Sequence, residues 1–360
     1  MIMKNKILFI SSMAFSSLSG GAQCSKRNLD SIIEIFGISN VIPYVLKPFS
    51  IQKITLIDIC KTIFNTINLR INGISRTVED DIYNKIIFDG IDIIFIDASL
   101  NGRLIKRIKK NLNVKVICFF HNCEYSLVLQ QFLAGEILVM PRLYSCYFGE
   151  KLACRYADKI IGLNVRDHSM IYRYYNRKVD VIIPISLKDR FVYNDCLVIK
   201  SEKKRILFVG SNFYPNIHGI KWFIRNVLPY IDVQLTIVGK NIHAIGINSS
   251  EKIEIISDSP VLDKFYLNTD IVIAPIFKGS GMKVKIAEAM MFGKPIVGTT
   301  EAFQGYQQVN GMYEANTSQE FVKIITREFP PKYNLILRAN FLTKYSFEAT
   351  LSLFKKTLLL

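Results

Sequence analysis

No run of 18 uninterrupted apolar residues occurs in the chain, so no membrane-spanning helix is expected. The seven cysteines are odd in number and form no C-x-x-C pair. Neither a disulfide framework nor a zinc site is indicated, and a reducing cytoplasm is the expected setting. Acidic residues are scarce, 30 against 46 basic, which leaves a formal net charge of +16. The basic residues are scattered, with no basic arm and no interleaved aromatics, which argues against nucleic acid as the partner. An anionic membrane surface or a phosphate-rich substrate remains. No repeat at a solenoid period and no low-complexity tract is present. No G-x-G-x-x-G follows the first apolar run, which argues against a dinucleotide oxidoreductase. No pair of carboxylates stands out that would flank one sugar, as a glycosidase requires.

What the chain does have is a strand–helix rhythm, sounded twice. At 360 residues, 50% hydrophobic and 21% charged, it has the size and composition of two folded domains. Lys4 and Lys6 before Ile7-Leu8-Phe9-Ile10 superficially resemble a signal peptide, but the apolar run is short and ends at Ser11-Ser12. A buried first strand followed by a turn at Gly20-Gly21 is the expected reading. Further continuous apolar runs at Asp92–Ile96, Val114–Phe120, Lys159–Leu163 and Val181–Pro184 read as buried parallel strands, with helices over 102–111, 125–134 and 165–175 between them. The pattern breaks between Pro184 and Lys204 and then restarts. Strands are expected at Arg205–Gly210, Gln234–Gly239, Ile253–Ile256, Ile271–Pro275 and Pro295–Gly298, with helices around 218–228 and 260–267. The expected fold is α/β, with two Rossmann-like domains facing a cleft: 1–185, a linker 186–204, and 205–342. A C-terminal helix over 343–360 is expected to pack back on the body. Ligands of such open sheets bind beyond the carboxyl ends of the strands.

The most informative segment is PIFKGSGMKVKIAEAMMFGKPIVGTTEAFQGY, residues 275–306. Lys278-Gly279-Ser280-Gly281 follows a strand and runs into a helical segment with Met282, Ile286, Ala289 and Met290 on one face. A glycine loop opening a helix turns backbone N–H groups toward a phosphate. Helix N-termini ordinarily prefer acidic residues, so Lys283 and Lys285 in the first turn suit a diphosphate. Glu288 could take a ribose diol.

Gly279-Ser280-Gly281-Met282-Lys283-Val284-Lys285-Ile286-Ala287-Glu288-Ala289, then Gly293-Lys294-Pro295 and Thr299, resembles the donor-binding segment of GT-B glycosyltransferases of the retaining family 4 type. Phe208–Phe223, with Gly210, Ser211 and Asn212 after a strand, resembles the first strand–loop–helix of that family's second domain. Gly20-Gly21-Ala22-Gln23 resembles its N-domain glycine loop, and Phe119–Tyr125 the segment whose histidine, here His121, meets the donor sugar. The resemblance implies His121, Lys283 and Glu288 as catalytic residues. It implies donor contacts from Gly21, Gly210, Ser211, Asn212, Gly239, Lys278, Gly279, Ser280, Gly281, Lys283 and Glu288. It also implies no resident cofactor and no divalent metal. The lack of a D-x-D in a fitting context agrees, since Asp80-Asp81 and Asp258 make no such site.

The chain departs from the family at three positions. Ser280 stands where relatives often carry the first acid of an E-x7-E pair, and Ser211 and His218 stand where they carry cations. Lys283 is the expected replacement, with Lys285 pointing elsewhere on the helix. The implied activity is transfer of a sugar from a UDP- or GDP-sugar to a lipid-linked glycan or cell-surface polysaccharide. It would take place in the cytoplasm or on the inner face of the plasma membrane, against an anionic lipid surface. The alternative is a non-catalytic nucleotide-sugar-binding module of the same fold.

Overall fold

The structure is a computed structural model that describes residues 5–12, 20–47, 56–192, 203–327 and 333–359, with the side chains of 56–60 left aside. Residues 193–202 of the expected linker lie outside the described set. The chain forms two compact units: Met1–Ser17 with Gly21–Ile183 and Leu353–Leu360, and Leu18–Gly20 with Pro184–Ser352.

The first unit contains β1 (Ile7–Ser11), α1 (Gly20–Phe36), β2 (Val41–Val45), α2 (Leu56–Ile67), α3 (Arg76–Phe88), β3 (Ile93–Ile96), α4 (Gly102–Asn111), β4 (Lys115–Phe120), α5 (Glu124–Leu133), α6 (Met140–Tyr156), β5 (Lys159–Gly162), α7 (Val165–Tyr175) and β6 (Val181–Ile182). Its sheet has the order β2-β1-β3-β4-β5-β6, with every pairing parallel. Every residue of β1 and β3 is buried, because helices cover both faces of the sheet. β2 was not among the expected strands. It alternates in burial, carries Pro43 and sits at the edge, where a missing N–H is tolerated. Gly20-Gly21, expected as a turn, instead begins α1, so these glycines present helix-terminal N–H groups.

The second unit contains β7 (Lys204–Val209), α8 (Tyr214–Asn226), β8 (Val233–Gly239), β9 (Ile253–Ser257), α9 (Asp263–Leu267), β10 (Ile271–Ala274), α10 (Val284–Met291), β11 (Ile296–Gly298), β12 (Met312–Glu314), α11 (Ser318–Ile325), α12 (Leu335–Asn340) and α13 (Phe347–Leu359). Its order is β12-β11-β10-β7-β8-β9, again all parallel. Strand order reverses beside β7, which puts the carboxyl ends of β7, β8 and β10 at a switch point. Within this unit the first residues after β6 are pinned to the C-terminal segment. Leu187 N–H donates to Tyr345 O at 3.0 Å and Phe347 N–H to Leu187 O at 2.9 Å. The last turns of α13 group with the first unit, where Lys159 Nζ donates to Thr357 O at 2.8 Å.

Candidate functional site

In the second unit, the ends of β7 and β8 touch through backbone alone. A Cβ on Gly239 would lie 1.8 Å from Gly210 O, so no side chain fits there. The turn after Gly210 lies along the end of β8, with Gly210 N–H on Val238 O at 2.9 Å and Asn212 N–H on Lys240 O at 2.9 Å. Asn216, at the start of α8, donates its amide to Ser211 O at 3.1 Å and so fixes the turn. These contacts bring Gly210, Ser211, Asn212 and Gly239 into one neighbourhood.

The second part is the loop after β10. Gly279 and Gly281 have φ of 138° and 63°, in the region that disfavours a side chain, and the loop depends on both. Lys278 is exposed. Lys283 is the N-cap of α10, with extended backbone (ψ 107°). Its side chain therefore leaves the helix phase and folds back, pairing with Glu301 Oε1 at 2.7 Å and donating to Gly281 O at 3.0 Å and Ser280 O at 3.4 Å. Lys285 follows the helix inward. It is buried, its Nζ donates to Asn216 Oδ1 at 2.9 Å, and it stands 4.2 Å from the centre of the Phe208 ring. Burial, with repulsion from Lys283, pulls its pKa down to about 7. The lysine that reaches the β7–α8 turn is thus Lys285, while Lys283 is committed to its own loop and Glu301. His218 lies among rings, 6.3 Å from Phe277, and shows no ionic partner among the described residues.

Glu288, one turn beyond Lys285, is also buried. Tyr266 donates its hydroxyl to Oε2 at 2.8 Å, and Arg190 stands 3.7 Å from Oε1 while also pairing with Asp263 at 3.2 Å. Burial raises the Glu288 pKa, opposed by Tyr266 and Arg190. Arg190 and Tyr266 carry no motif and were not legible as site residues. Oε1 is at ion-pair rather than hydrogen-bond distance from Arg190 and keeps acceptor capacity for hydroxyls.

The first unit holds Gly21 and His121. His121, just past β4, contacts Asp97 Oδ1 through Nε2 at 3.0 Å. Asp97 is buried and also accepts from Asn28 at 2.7 Å and Ser11 at 3.1 Å. Burial alone would lower the His121 pKa, but Asp97 and the Cys24 thiol override it and hold the ring well above the usual imidazole value. Burial raises Cys24, yet Arg27 and His121 bring it below the ordinary thiol value, with an Arg27 N–H 3.4 Å from the sulfur. Glu150 has a structural task. Its buried carboxylate accepts from Ser99 at 2.9 Å, Tyr175 at 2.8 Å and the N–H groups of Glu124 and Tyr125 at 2.8 and 3.1 Å, closing the start of α5. Asn164 caps α7, accepting from Asp167 N–H at 2.9 Å.

Residues 203–327, from β7 through α11, match the family described as Glycosyl transferases group 1. A protein of the Klebsiella pneumoniae cps region, described as an uncharacterized 44.6 kDa protein, is 27% identical over 196 residues. That match covers 47% of this chain and 48% of the relative, so it spans about half the relative's length. Among solved structures, sucrose-phosphate synthase from Thermosynechococcus elongatus superposes with a TM-score of 0.70 at 12% identity, covering 99% of this chain and 98% of that one. Anabaena HepE, in complex with UDP-glucose, gives 0.65 at 12% identity, covering 98% and 99%. The lipopolysaccharide outer core galactosyltransferase WaaB gives 0.63 at 12%, again covering 98% and 99%. The chain therefore has the GT-B fold, and the segment that matches the Glycosyl transferases group 1 model lies in its second unit.

Proposed function

We propose that the protein is a glycosyltransferase that moves a sugar from a nucleoside diphosphate-sugar to an acceptor hydroxyl. What supports this is the opening of α10. A buried cation, Lys285, reaches the glycine turn after β7, and a buried carboxylate, Glu288, follows one helical turn later. A diphosphate would take the ammonium of Lys285 and the N–H groups at the helix start, and the ribose hydroxyls would take Glu288 Oε1. HepE binds UDP and UDP-glucose, so a UDP-sugar is the first donor to test.

In this reading the sugar–oxygen bond to the β-phosphate breaks as the acceptor oxygen bonds to the anomeric carbon. Charge developing on the leaving diphosphate is stabilised by Lys285 and the helix N-terminus without a divalent metal. The acceptor proton passes to the departing phosphate oxygen, with retention at the anomeric carbon. His121, held protonated by Asp97, belongs to the transfer machinery as a fixed positive group. The acceptor is a lipid-linked glycan or a cell-surface polysaccharide, taken at the cytoplasmic face of an anionic membrane. Lys278, Gly279, Ser280, Gly281, Gly210, Ser211, Asn212 and Gly239 line the donor side in the second unit, and Gly21 is a donor contact proposed in the first.

A second reading keeps the nucleotide-sugar site without the chemistry. It is favoured by Ser280, which replaces an acid with a neutral hydroxyl, and by Ser211 and His218 in place of cations. Mass spectrometry of products formed from UDP-sugars and a lipid-linked acceptor pool separates the two. Transfer or donor hydrolysis supports the enzyme. Calorimetrically detected binding of UDP with neither product supports the module. Lys285→Ala and Glu288→Ala should each abolish transfer, and wild-type turnover in both would remove α10 from the site.

A further inference from the structure

The first unit exposes an apolar surface that its own core does not use. The connection from α5 into α6 runs Leu133-Ala134-Gly135-Glu136-Ile137-Leu138-Val139-Met140. Leu133 is 75% exposed, Ile137 71% and Leu138 96%. Residues Ile137–Val139 form a single 3-10 turn, so this tip has regular backbone while its large side chains face solvent. α6 continues the surface with Tyr144 and Phe148, both exposed, their rings 4.9 Å apart. The surface crosses to α2, where Tyr144 donates its hydroxyl to Ile67 O at 3.3 Å and Ile63, Phe64 and Ile67 are exposed. Exposed apolar side chains gathered on neighbouring elements in this way mark an interaction site.

Its charged rim is mainly basic. Tyr144, Phe148, Lys151 and Arg155 recur at the i, i+4, i+7, i+11 spacing of a single helix face, so the apolar half of α6 passes directly into a basic half. Arg142 and Lys61 flank the aromatics, and both are exposed. Between Leu133 and Tyr156, Glu136 is the one exposed acid among the described residues, because Glu150 is buried. Protruding leucine and isoleucine side chains, aromatics at the margin and lysine or arginine beyond them match the layers of a bilayer interface: acyl chains, headgroup boundary, anionic phosphates.

We propose that α2, the α5–α6 connection and the face of α6 form a docking surface for an anionic lipid bilayer. Leu138 and Ile137 insert, Tyr144 and Phe148 lie at the headgroup boundary, and Arg142, Lys151 and Arg155 meet lipid phosphates. The purpose of this surface rests on the membrane-side acceptor proposed above, but the surface is tested without any donor or acceptor.

The test is co-sedimentation of the full-length protein with vesicles of phosphatidylcholine, with and without phosphatidylglycerol. Wild type should pellet with the anionic vesicles at low salt and lose at least about ten-fold in partition at high salt or without phosphatidylglycerol. Leu138→Asp and Ile137→Asp, at positions already in solvent, should each lower partition about ten-fold or more. Arg142→Ala should lower it about five-fold, one basic residue's share at such a surface. Unchanged circular dichroism and unchanged UDP affinity in all three variants keep the loss assigned to lipid contact. Wild type remaining in the supernatant with anionic vesicles, or aspartate variants that pellet like wild type, would overturn the proposal. So would a wild-type dimer that Leu138→Asp converts to monomer, since a second copy would then cover the surface. Vesicle binding without UDP binding would leave this surface standing and sink the donor site alone.

Discussion

Each unit places a buried charged group beyond the ends of its strands, and the two groups are built in opposite ways. In the first unit, Asp97, His121, Cys24 and Arg27 interact with one another: the acid holds the imidazole charged, and the imidazole and guanidinium favour the thiolate. In the second unit, burial pushes Lys285 and Glu288 each toward its neutral form. In one group charge is favoured by neighbours within the group; in the other, burial works against it. A group charged by its own neighbours is held by the fold, whereas groups kept near neutral by burial would gain most from an incoming counterpart, here the proposed diphosphate and ribose.

The largest effect expected from this contrast is on stability. Asp97→Ala would strand His121, Asn28 and Ser11 in the interior, and breaking a buried pair in this way costs about 3–5 kcal/mol. Urea unfolding should show it, and an unchanged midpoint would mean that Asp97 does not hold the first group together. Next in size, Lys285→Ala should weaken UDP binding roughly ten- to hundred-fold, the range of one charge-assisted hydrogen bond, in isothermal titration. Lys283→Ala should cost less, because Lys283 is engaged by Glu301 and its own loop. The reverse ranking would break the assignment of the two lysines.

The pH dependence sharpens the same contrast. Lys285 in the free protein titrates near 7, well below an ordinary lysine. A bound diphosphate favours its charged form, so binding above about pH 7 takes up a proton and affinity falls as pH rises through that range. Folding has the opposite sign. Above about pH 7 and below the usual lysine value the unfolded chain holds more protons at this site, so the Lys285 contribution to stability rises with pH. Titrations in buffers of different ionisation enthalpy should show proton uptake that vanishes in Lys285→Met. The smallest effect is expected for Tyr266→Phe. It removes one hydrogen bond from Glu288, lets burial raise the carboxyl further, and should reduce UDP affinity about five-fold, with the greater loss at low pH.

What could be read in the sequence follows burial and backbone conformation. Continuous apolar runs announce β1, β3, β4 and β10, because both faces of those strands are covered. The edge strands β2 and β12 escape, one with alternating burial and Pro43, the other only three residues long. The loop–helix at Gly279–Glu288 was legible from spacing alone. The directions taken by its two lysine side chains were not. Counting helical phase from Lys283 turns Lys285 away, but Lys283 is an extended N-cap and does not share the helix phase. Asp97 and Glu150 look like ordinary acids until their donors are seen. The exposure of Leu133, Ile137 and Leu138 carries no sequence signal and is seen only in the structure.

The central claim is that the second unit binds a nucleoside diphosphate through Lys285 and Glu288. Isothermal titration of wild type, Lys285→Ala and Glu288→Ala with UDP, and of wild type with NAD as the control, tests it most directly. Wild type should bind UDP saturably, each variant should lose at least about ten-fold, and NAD should give no heat. Equal UDP affinity in all three proteins, or preference for NAD, would contradict it.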